Sequence, residues 1–348
     1  VRIMAYTTID DPSAYFQTLL YTGNGSARSL TNDGNSNLQP DWVWTKKRNA
    51  AQNHCVTDSS RGVGNILFPD VADQESATQL LTSFDSDGFS INTNALVNQN
   101  THTYVAWQWK ANGGTTASNS DGSLTSTVQA STTSGFSIVT YTGNASQGAT
   151  IGHGLGAVPN VVLVKGRSVG DSWTMLHSGI ASDFQTDMIK LDETGAAQDN
   201  SVFWNDTAPT SSVFSVDGAG GESKVNESGK TYVAYCFTPI QGYSKFGSYT
   251  GNGGSQFVYT GFAPAFLIEK RSSNSGTWTM YDNKRSPFNE RSEVLHPESN
   301  AAEETYASAP DFLSNGFAPR GAVNDNGETV IYMAFAESPF VTSKGVPT

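Results

Sequence analysis

Tyr21-Thr-Gly-Asn-Gly25 recurs as Tyr141-Thr-Gly-Asn-Ala145 and again as Tyr249-Thr-Gly-Asn-Gly253. Each copy follows a short run containing aromatic or β-branched residues and reads as a strand passing into a turn. The landmarks downstream keep one order. Pro40-Asp-Trp-Val-Trp-Thr-Lys46 matches Pro159-Asn-Val-Val-Leu-Val-Lys165 and Pro264-Ala-Phe-Leu-Ile-Glu-Lys270, with Pro and Lys at the same separation each time. His54-Cys-Val-Thr-Asp58, Trp173-Thr-Met-Leu-His177 and Trp278-Thr-Met-Tyr-Asp282 come next. Tyr104-Val-Ala-Trp, Tyr232-Val-Ala-Tyr and Tyr332-Met-Ala-Phe close the three copies. From first Tyr to last Tyr the copies span 83, 91 and 83 positions, from 21 to 104, 141 to 232 and 249 to 332. A module of roughly 100 residues is too long for a solenoid unit and has the size of a small β-domain.

Within each copy, short apolar runs alternate with clusters such as Asn32-Asp-Gly-Asn35 and Asn324-Asp-Asn-Gly327. This is the pattern of a sandwich or jelly roll. The expected fold is therefore all-β, three tandem antiparallel β-sandwich domains. The expected layout is an N-terminal arm (1–17), repeat 1 (18–112), a Gly/Ser/Thr/Asn-rich linker (113–134), repeat 2 (135–238), a short linker (239–245), repeat 3 (246–341) and a tail (342–348). Because of the long linker, repeat 1 should be the more mobile. Only 73–81 and 301–306, where Glu and Ala gather without adjacent Gly, suggest brief helices.

Composition agrees. Charged residues make up 15%, against a typical share of about 25%. There are 34 Gly, and the 7 Trp, 18 Phe and 13 Tyr are enough to build packed cores. A net charge of -12 disfavours phosphate backbones and anionic lipid, so neither nucleic acid nor membrane insertion is expected. No apolar run is long enough to span a bilayer and no secretory signal is evident; the start could be Val1 or Met4. Cys55 and Cys236 lie at non-equivalent positions and are expected as free, buried thiols.

Tyr-Thr-Gly-Asn, Trp42-Val-Trp-Thr-Lys-Lys-Arg48, Ser83-Phe-Asp-Ser-Asp-Gly-Phe-Ser-Ile91, Tyr104-Val-Ala-Trp-Gln-Trp-Lys-Ala-Asn-Gly-Gly114 and Gly135-Phe-Ser-Ile-Val-Thr-Tyr-Thr-Gly-Asn144 together resemble repeat-bearing virion structural proteins of tailed marine bacteriophages of the cyanophage and pelagiphage type. The resemblance runs from about Tyr6 to Phe340 and through all three copies. It implies a lectin-like sandwich per repeat and a place on the particle surface, assembled in the bacterial cytoplasm. It carries no catalytic residues. With few residues before the first repeat and no heptad or collagen shaft, head decoration or a short appendage is expected ahead of a tail-fibre or receptor-binding subunit. The alternative of another class is a soluble glycan-binding or glycan-cleaving module. Expected partners are other virion proteins, further copies of the chain with a trimer as one arrangement, and a host surface glycan.

A group needed by every copy should recur in every copy, and most candidate chemistry fails that test. Asp85 and Asp87 could hold calcium but lack counterparts, so a turn closed by Gly88 is the better reading. Glu303 and Glu304 would point to opposite sides of a strand, unlike a glycosidase pair. Gly152-His-Gly-Leu-Gly156 lacks the spacing of a dinucleotide loop. No nucleophile elbow or metal-spaced Cys/His cluster occurs, so no enzyme activity, cofactor or metal is expected. Two sets remain. Asp58, His177 and Asp282 form a repeat-equivalent polar position, followed three residues on by Arg61 and Arg285, a pattern that suits a surface strand-end salt bridge. Trp42, Trp44, Trp107 and Trp109 form pairs spaced by two, which places both rings of a pair on one face of a strand. That face is either a sheet core or a platform for a sugar or a partner. Lys46, Lys165 and Lys270 should end a buried strand and blunt a sheet edge.

Overall fold

The computed structural model describes residues 6–218 and 224–340. It is nearly all β, with antiparallel sheets throughout. Each repeat centres on four strands in one spatial order. In repeat 1 the order is Phe16–Thr22, Thr103–Trp109, Trp42–Lys47, Cys55–Asp58. In repeat 2 it is Phe136–Thr142, Thr231–Phe237, Val161–Gly166, Thr174–His177, and in repeat 3 Ser244–Thr250, Thr329–Pro339, Phe262–Arg271, Thr279–Asp282. The matched landmarks thus occupy matched strands, and the first Tyr of each copy pairs across the ladder at the closing strand: Tyr21 with Tyr104, Tyr141 with Tyr232, Tyr249 with Val330.

The glycine of the Tyr-Thr-Gly-Asn motif answers to a close approach made three times. A Cβ on Gly23 would lie 2.2 Å from the Gln99 carbonyl oxygen, on Gly143 2.4 Å from that of Glu227, and on Gly251 2.2 Å from that of Asp325. The asparagine that follows donates its backbone N–H to a buried amide, Asn98, Asn226 or Asn324. The motif is a backbone clamp that turns the chain out of its first strand.

These four-stranded sheets are buried on both faces, which is why their strands read as nearly unbroken apolar runs rather than alternating ones. Outward from the centre, Val43 and Ala106 pack with Leu30, Leu81, Phe89 and Ile91 of a small sheet, Arg28–Leu30, Gly88–Ile91, Leu81–Asp85. Repeat 2 has the same arrangement against the pair Ala149–Gly152 and Val213–Val216, and repeat 3 against Val258–Tyr259, Gly316–Ala318, Asp311–Leu313. On the inward face all three repeats meet. Trp42, Trp44, Trp107 and Trp109 join Ile138, Leu163, Tyr235 and Phe237 of repeat 2 and Phe266, Ile268, Met333 and Phe335 of repeat 3 in one continuous core.

Three expectations are corrected by this arrangement. The stretch 113–134 is no plain linker: Ala117–Asn119 and Ser126–Ser131 add two strands to the repeat 2 sheet, Val128 pairs with Val139, and buried Gln129 donates to Ser59 of repeat 1. With Asp187–Lys190 and Gln198–Asp199 on the other flank, that sheet reaches eight strands. Repeat 1 is accordingly held by the shared core and by this segment rather than hung on a tether. The segments 73–81 and 301–306 are not helical; their backbone is pinned across repeat boundaries by Glu75 N–H to Arg167 O (2.9 Å) and Glu303 N–H to Arg48 O (2.7 Å). Tertiary hydrogen bonds override local helix propensity there. Among the described residues the α-helices are Ala95–Asn98 and Ser201–Trp204, capped by Asn94 and Asn200.

The N-terminal arm is described from Tyr6. Its hydroxyl donates to Gly261 O of repeat 3, Ile9 enters the shared core, and Asp11 caps the turn Pro12–Ala14. The tail 342–348 lies outside the described residues. In the short linker, Tyr243 is buried and Ser244 already belongs to the first strand of repeat 3.

Candidate functional site

The repeat-equivalent polar residues sit where one repeat meets the next, and they close a ring. Asp58, His177 and Asp282 end the fourth strand of their sheets and are 0%, 0% and 1% exposed. From repeat 1 to repeat 2, Asp58 Oδ2 accepts the Tyr235 hydroxyl at 2.7 Å. From repeat 3 to repeat 1, Asp282 Oδ2 accepts Trp107 Nε1–H at 3.0 Å. From repeat 2 to repeat 3, His177 Nε2 donates to the Tyr332 carbonyl at 3.1 Å while its Nδ1 accepts the Gly179 N–H. The imidazole is therefore the neutral Nε2–H tautomer, and burial pushes its pKa down to about 4.

The difference at His177 is one of several made together. Trp107, Tyr235 and Phe335 occupy the same position of their repeats. Two of these rings carry a donor and meet a carboxylate; the third carries none, and the histidine at that boundary donates to the Tyr332 carbonyl instead. Arg61 and Arg285 bind their aspartates at 2.5 Å with both side chains fully buried, where repeat 2 has Ile180. Each arginine also reaches a glutamate that bridges to the neighbouring repeat. Glu75 binds Arg61 (2.8 Å) and Arg167 (2.9 Å), and Glu303 binds Arg285 (3.0 Å) and Arg48 (2.6 Å). At the third boundary the corresponding contact, Ala197 N–H to Ser272 O (2.8 Å), is present with no charge on either side chain. Aspartate, arginine, glutamate and arginine are replaced by His177, Ile180, Ala197 and Ser272 as a set.

The expected surface salt bridge is thus corrected to a buried, two-repeat network. Burial disfavours the Arg61 charge, but Asp58 and Glu75 more than offset it and hold the guanidinium above its ordinary range. For Glu75 and Glu303 burial works against ionisation as well, and their paired arginines still draw both carboxyls below the ordinary value. Breaking such a pair by removing one member costs about 3–5 kcal/mol because the remaining charge is stranded.

The tryptophans are no exposed platform. Trp42, Trp44, Trp107 and Trp109 are 3%, 3%, 0% and 2% exposed. Trp42 stacks on Tyr235 of repeat 2 at 4.7 Å, and Trp109 meets Phe266 of repeat 3 edge-on at 5.8 Å. Where the three repeats converge they leave an apolar cavity of 20 Å³ lined by Trp42, Trp44, Trp109, Leu163, Phe266 and Phe335 among others, about the space of one water and without polar partners to hold it. The rings at the position of His54 cross two of the boundaries, Trp173 Nε1 donating to Phe68 O and Trp278 Nε1 to Lys190 O, while His54 takes the Trp44 Nε1–H within repeat 1.

Lys46, Lys165 and Lys270 are 0% exposed and lie on strands flanked by neighbours on both sides, so the edge-blunting expectation is replaced. Lys46 Nζ donates to Asn300 O of repeat 3 and Lys270 Nζ to Thr194 O of repeat 2; Lys165 Nζ donates to Asp171 O within its own repeat. Facing them are Asp70, Asp192 and Glu298, each accepting the N–H of His54, Trp173 or Trp278. Burial lowers all three lysines to about 8 and raises Asp70 to about 6 and Glu298 to about 7. Sequence reading missed these carboxylates because their spacing from the landmarks varies between copies.

Asp85 takes the hydroxyls of Ser83 and Ser90, and Asp87 accepts the Leu38 N–H. Among the described residues no group of three or more His, Cys, Asp or Glu is placed to hold a metal, and no helix is long and apolar enough to cross a membrane. Cys55 and Cys236 are free and buried.

Residues 11–339 match the family model described as "Domain of unknown function (DUF7483)". The chain belongs to this family. The family match covers all three repeats as one unit, in keeping with a core to which each contributes. No curated protein and no solved structure matches the chain.

Proposed function

We propose that the chain is a non-enzymatic structural protein on the surface of a tailed-phage particle, a head decoration or short appendage, in which each repeat is a lectin-like β-sandwich. The observation that carries this reading is the cyclic arrangement: three copies of one sheet close around a single core through three boundaries at corresponding positions, a pseudo-trimer made from one chain. Closed cyclic contacts are the way symmetric assemblies are built. A body of this form fits a threefold or quasi-threefold position of a shell while offering three related outer faces for adhesion, so that weak contacts can add up by avidity. The repeat-equivalent polar groups are engaged in joining repeats, which supports a scaffold over a catalytic role. The link to phage rests on the resemblance of the repeat motifs.

Cryo-EM of purified particles, with the chain built into density and its neighbours identified, tests the reading. Copies on the shell or on a short appendage support it. Finding the chain on a tail fibre points to the receptor-binding alternative, and absence from particles overturns the virion assignment.

A further inference from the structure

Each repeat carries a small outer sheet, of three strands in repeats 1 and 3 and two in repeat 2, and that of repeat 3 has an altered outer face. In repeat 1, Leu30, Phe89 and Phe84 align across the sheet toward the core, and the neighbouring rows are Ser29, Ser90, Ser83 and Gly88, Asp85, with Thr31 just past the end of the first strand. Those hydroxyls satisfy one another: Ser29 Oγ lies 2.7 Å from Ser90 Oγ, and Ser90 donates to Asp85. In repeat 3, Val258, Phe317 and Phe312 take the inward row. The outer rows become Phe257, Ala318, Asp311 and Tyr259, Gly316, Leu313. Phe257, Tyr259 and Leu313 are 50%, 48% and 37% exposed. Repeat 2 places Thr150 and Gly152 where repeat 3 has the two aromatics.

The patch is apolar, with its two rings set at 61° to each other. Gly316 lies between Tyr259 and Leu313, and a Cβ there would come within 2.8 Å of the Phe257 ring and 2.1 Å of Val258 O. Absence of that side chain lets the Phe257 ring lie down over the strand, 6.5 Å from the Tyr259 ring. The rim is polar and internally paired. Arg320 binds Asp311, Lys245 Nζ donates to Tyr259 O, and the Tyr259 hydroxyl meets that of Tyr6 at 3.2 Å. The Arg320 charge is paired with Asp311, the Lys245 ammonium is turned onto the Tyr259 carbonyl and ring (5.2 Å to the centroid), and the net charge of -12 opposes an anionic partner.

Size decides between classes of occupant. Three strands at about 4.8 Å spacing, each two or three residues long at about 3.3 Å per residue, present a face of roughly 100 Å². A stable protein partner or second copy needs about 800 Å² on each side. One ring of a sugar has an apolar C–H face and a hydroxyl edge, which match exposed aromatics with donors and acceptors around them.

We propose that the outer face of the small sheet of repeat 3, centred on Phe257, Tyr259 and Leu313, is a binding platform for an uncharged glycan. The inference stands on this face alone and not on where the chain sits. Cryo-EM of the particle and binding to the isolated full chain are separate measurements, and failure of one leaves the other standing.

The test is saturation-transfer NMR on the full chain with the methyl glycosides of glucose, galactose, N-acetylglucosamine and glucuronic acid as probes. Transfer to the ring C–H protons of at least one neutral glycoside is expected, with at least tenfold less to the glucuronide. The signal should vanish in Phe257→Ser and Tyr259→Thr, the residues repeat 1 carries, and in Leu313→Asp as a second variant should either of those fail to fold. No transfer from any neutral glycoside overturns the proposal, as does transfer that survives in folded variants or that is as strong for the glucuronide. Self-association of the wild type that Phe257→Ser abolishes, without glycoside transfer, would assign the face to contacts between copies instead.

Discussion

His177→Asp places a carboxylate at the one boundary that lacks every group needed to receive it. Phe335, at the position of Trp107 and Tyr235, has no donor, Ile180 stands where Arg61 and Arg285 neutralise their aspartates, and Ala197 and Ser272 replace the bridging glutamate and second arginine. The position is fully buried, and the substitution also removes the donor to Tyr332 O. A stranded buried charge costs about 3–5 kcal/mol. Unfolding entropy of about 2.1 cal/mol/K per residue over 348 residues is about 0.7 kcal/mol/K, so Tm should fall by about 4–7 °C. Scanning calorimetry with far-UV circular dichroism reads the shift. The informative partner is the transplant His177→Asp with Ile180→Arg, Ala197→Glu, Ser272→Arg and Phe335→Tyr, which restores the whole set and should recover at least half of the loss. A single variant within about 1 kcal/mol of wild type, or a transplant less stable than the single change, would refute the idea that these positions vary as one unit.

Three further outcomes follow from the same geometry. Trp42→Ala removes a ring shared between repeats 1 and 2 and should lower stability by about 3–5 kcal/mol in urea titration, while leaving the glycoside signal of Phe257 unchanged at temperatures where the variant is folded. Glu298 has a folded pKa of about 7, above its unfolded value of 4.5. Its stabilising contribution is therefore complete below pH 4.5 and is lost as pH rises through 7, so Glu298→Gln should flatten the fall in stability between those values. The lysines run the opposite way. With Lys46, Lys165 and Lys270 lowered to about 8 from 10.5, the unfolded chain holds more protons above pH 8, so stability should rise from pH 8 to 9.5, and denaturant midpoints at fixed ionic strength would show it.

Repetition was legible in the sequence because each copy needs the same glycine approach, the same two-sided central strand and the same Pro-to-Lys run to build its sheet. The positions of Asp58, His177 and Asp282 were legible too, as a recurring polar slot. Their role was not, since a strand-end Asp followed by Arg looks alike on a surface and in a boundary. The sign lay in what changes together: Arg61 and Arg285 are present with aspartate and absent with His177. The segment 113–134 looked like a tether because strands exposed on one side, such as Ala117–Asn119, can be made of Ser, Thr and Asn. Paired tryptophans pointed to one face of a strand, and only the meeting of three sheets makes that face a common core. The aromatics that do remain exposed, Phe257 and Tyr259, gave no signal alone; they stand out against Ser29 and Thr31 once the copies are superposed strand by strand.

The central claim is that three repeats share one core rather than folding as separate units. Native-state hydrogen exchange read by mass spectrometry tests it most directly, by comparing the inner strands Thr103–Trp109, Thr231–Phe237 and Thr329–Pro339. The account predicts that all three open with the same free energy and lose protection together as urea is raised. Exchange of Thr103–Trp109 through a separate, lower-energy opening, with repeats 2 and 3 still protected, would contradict it.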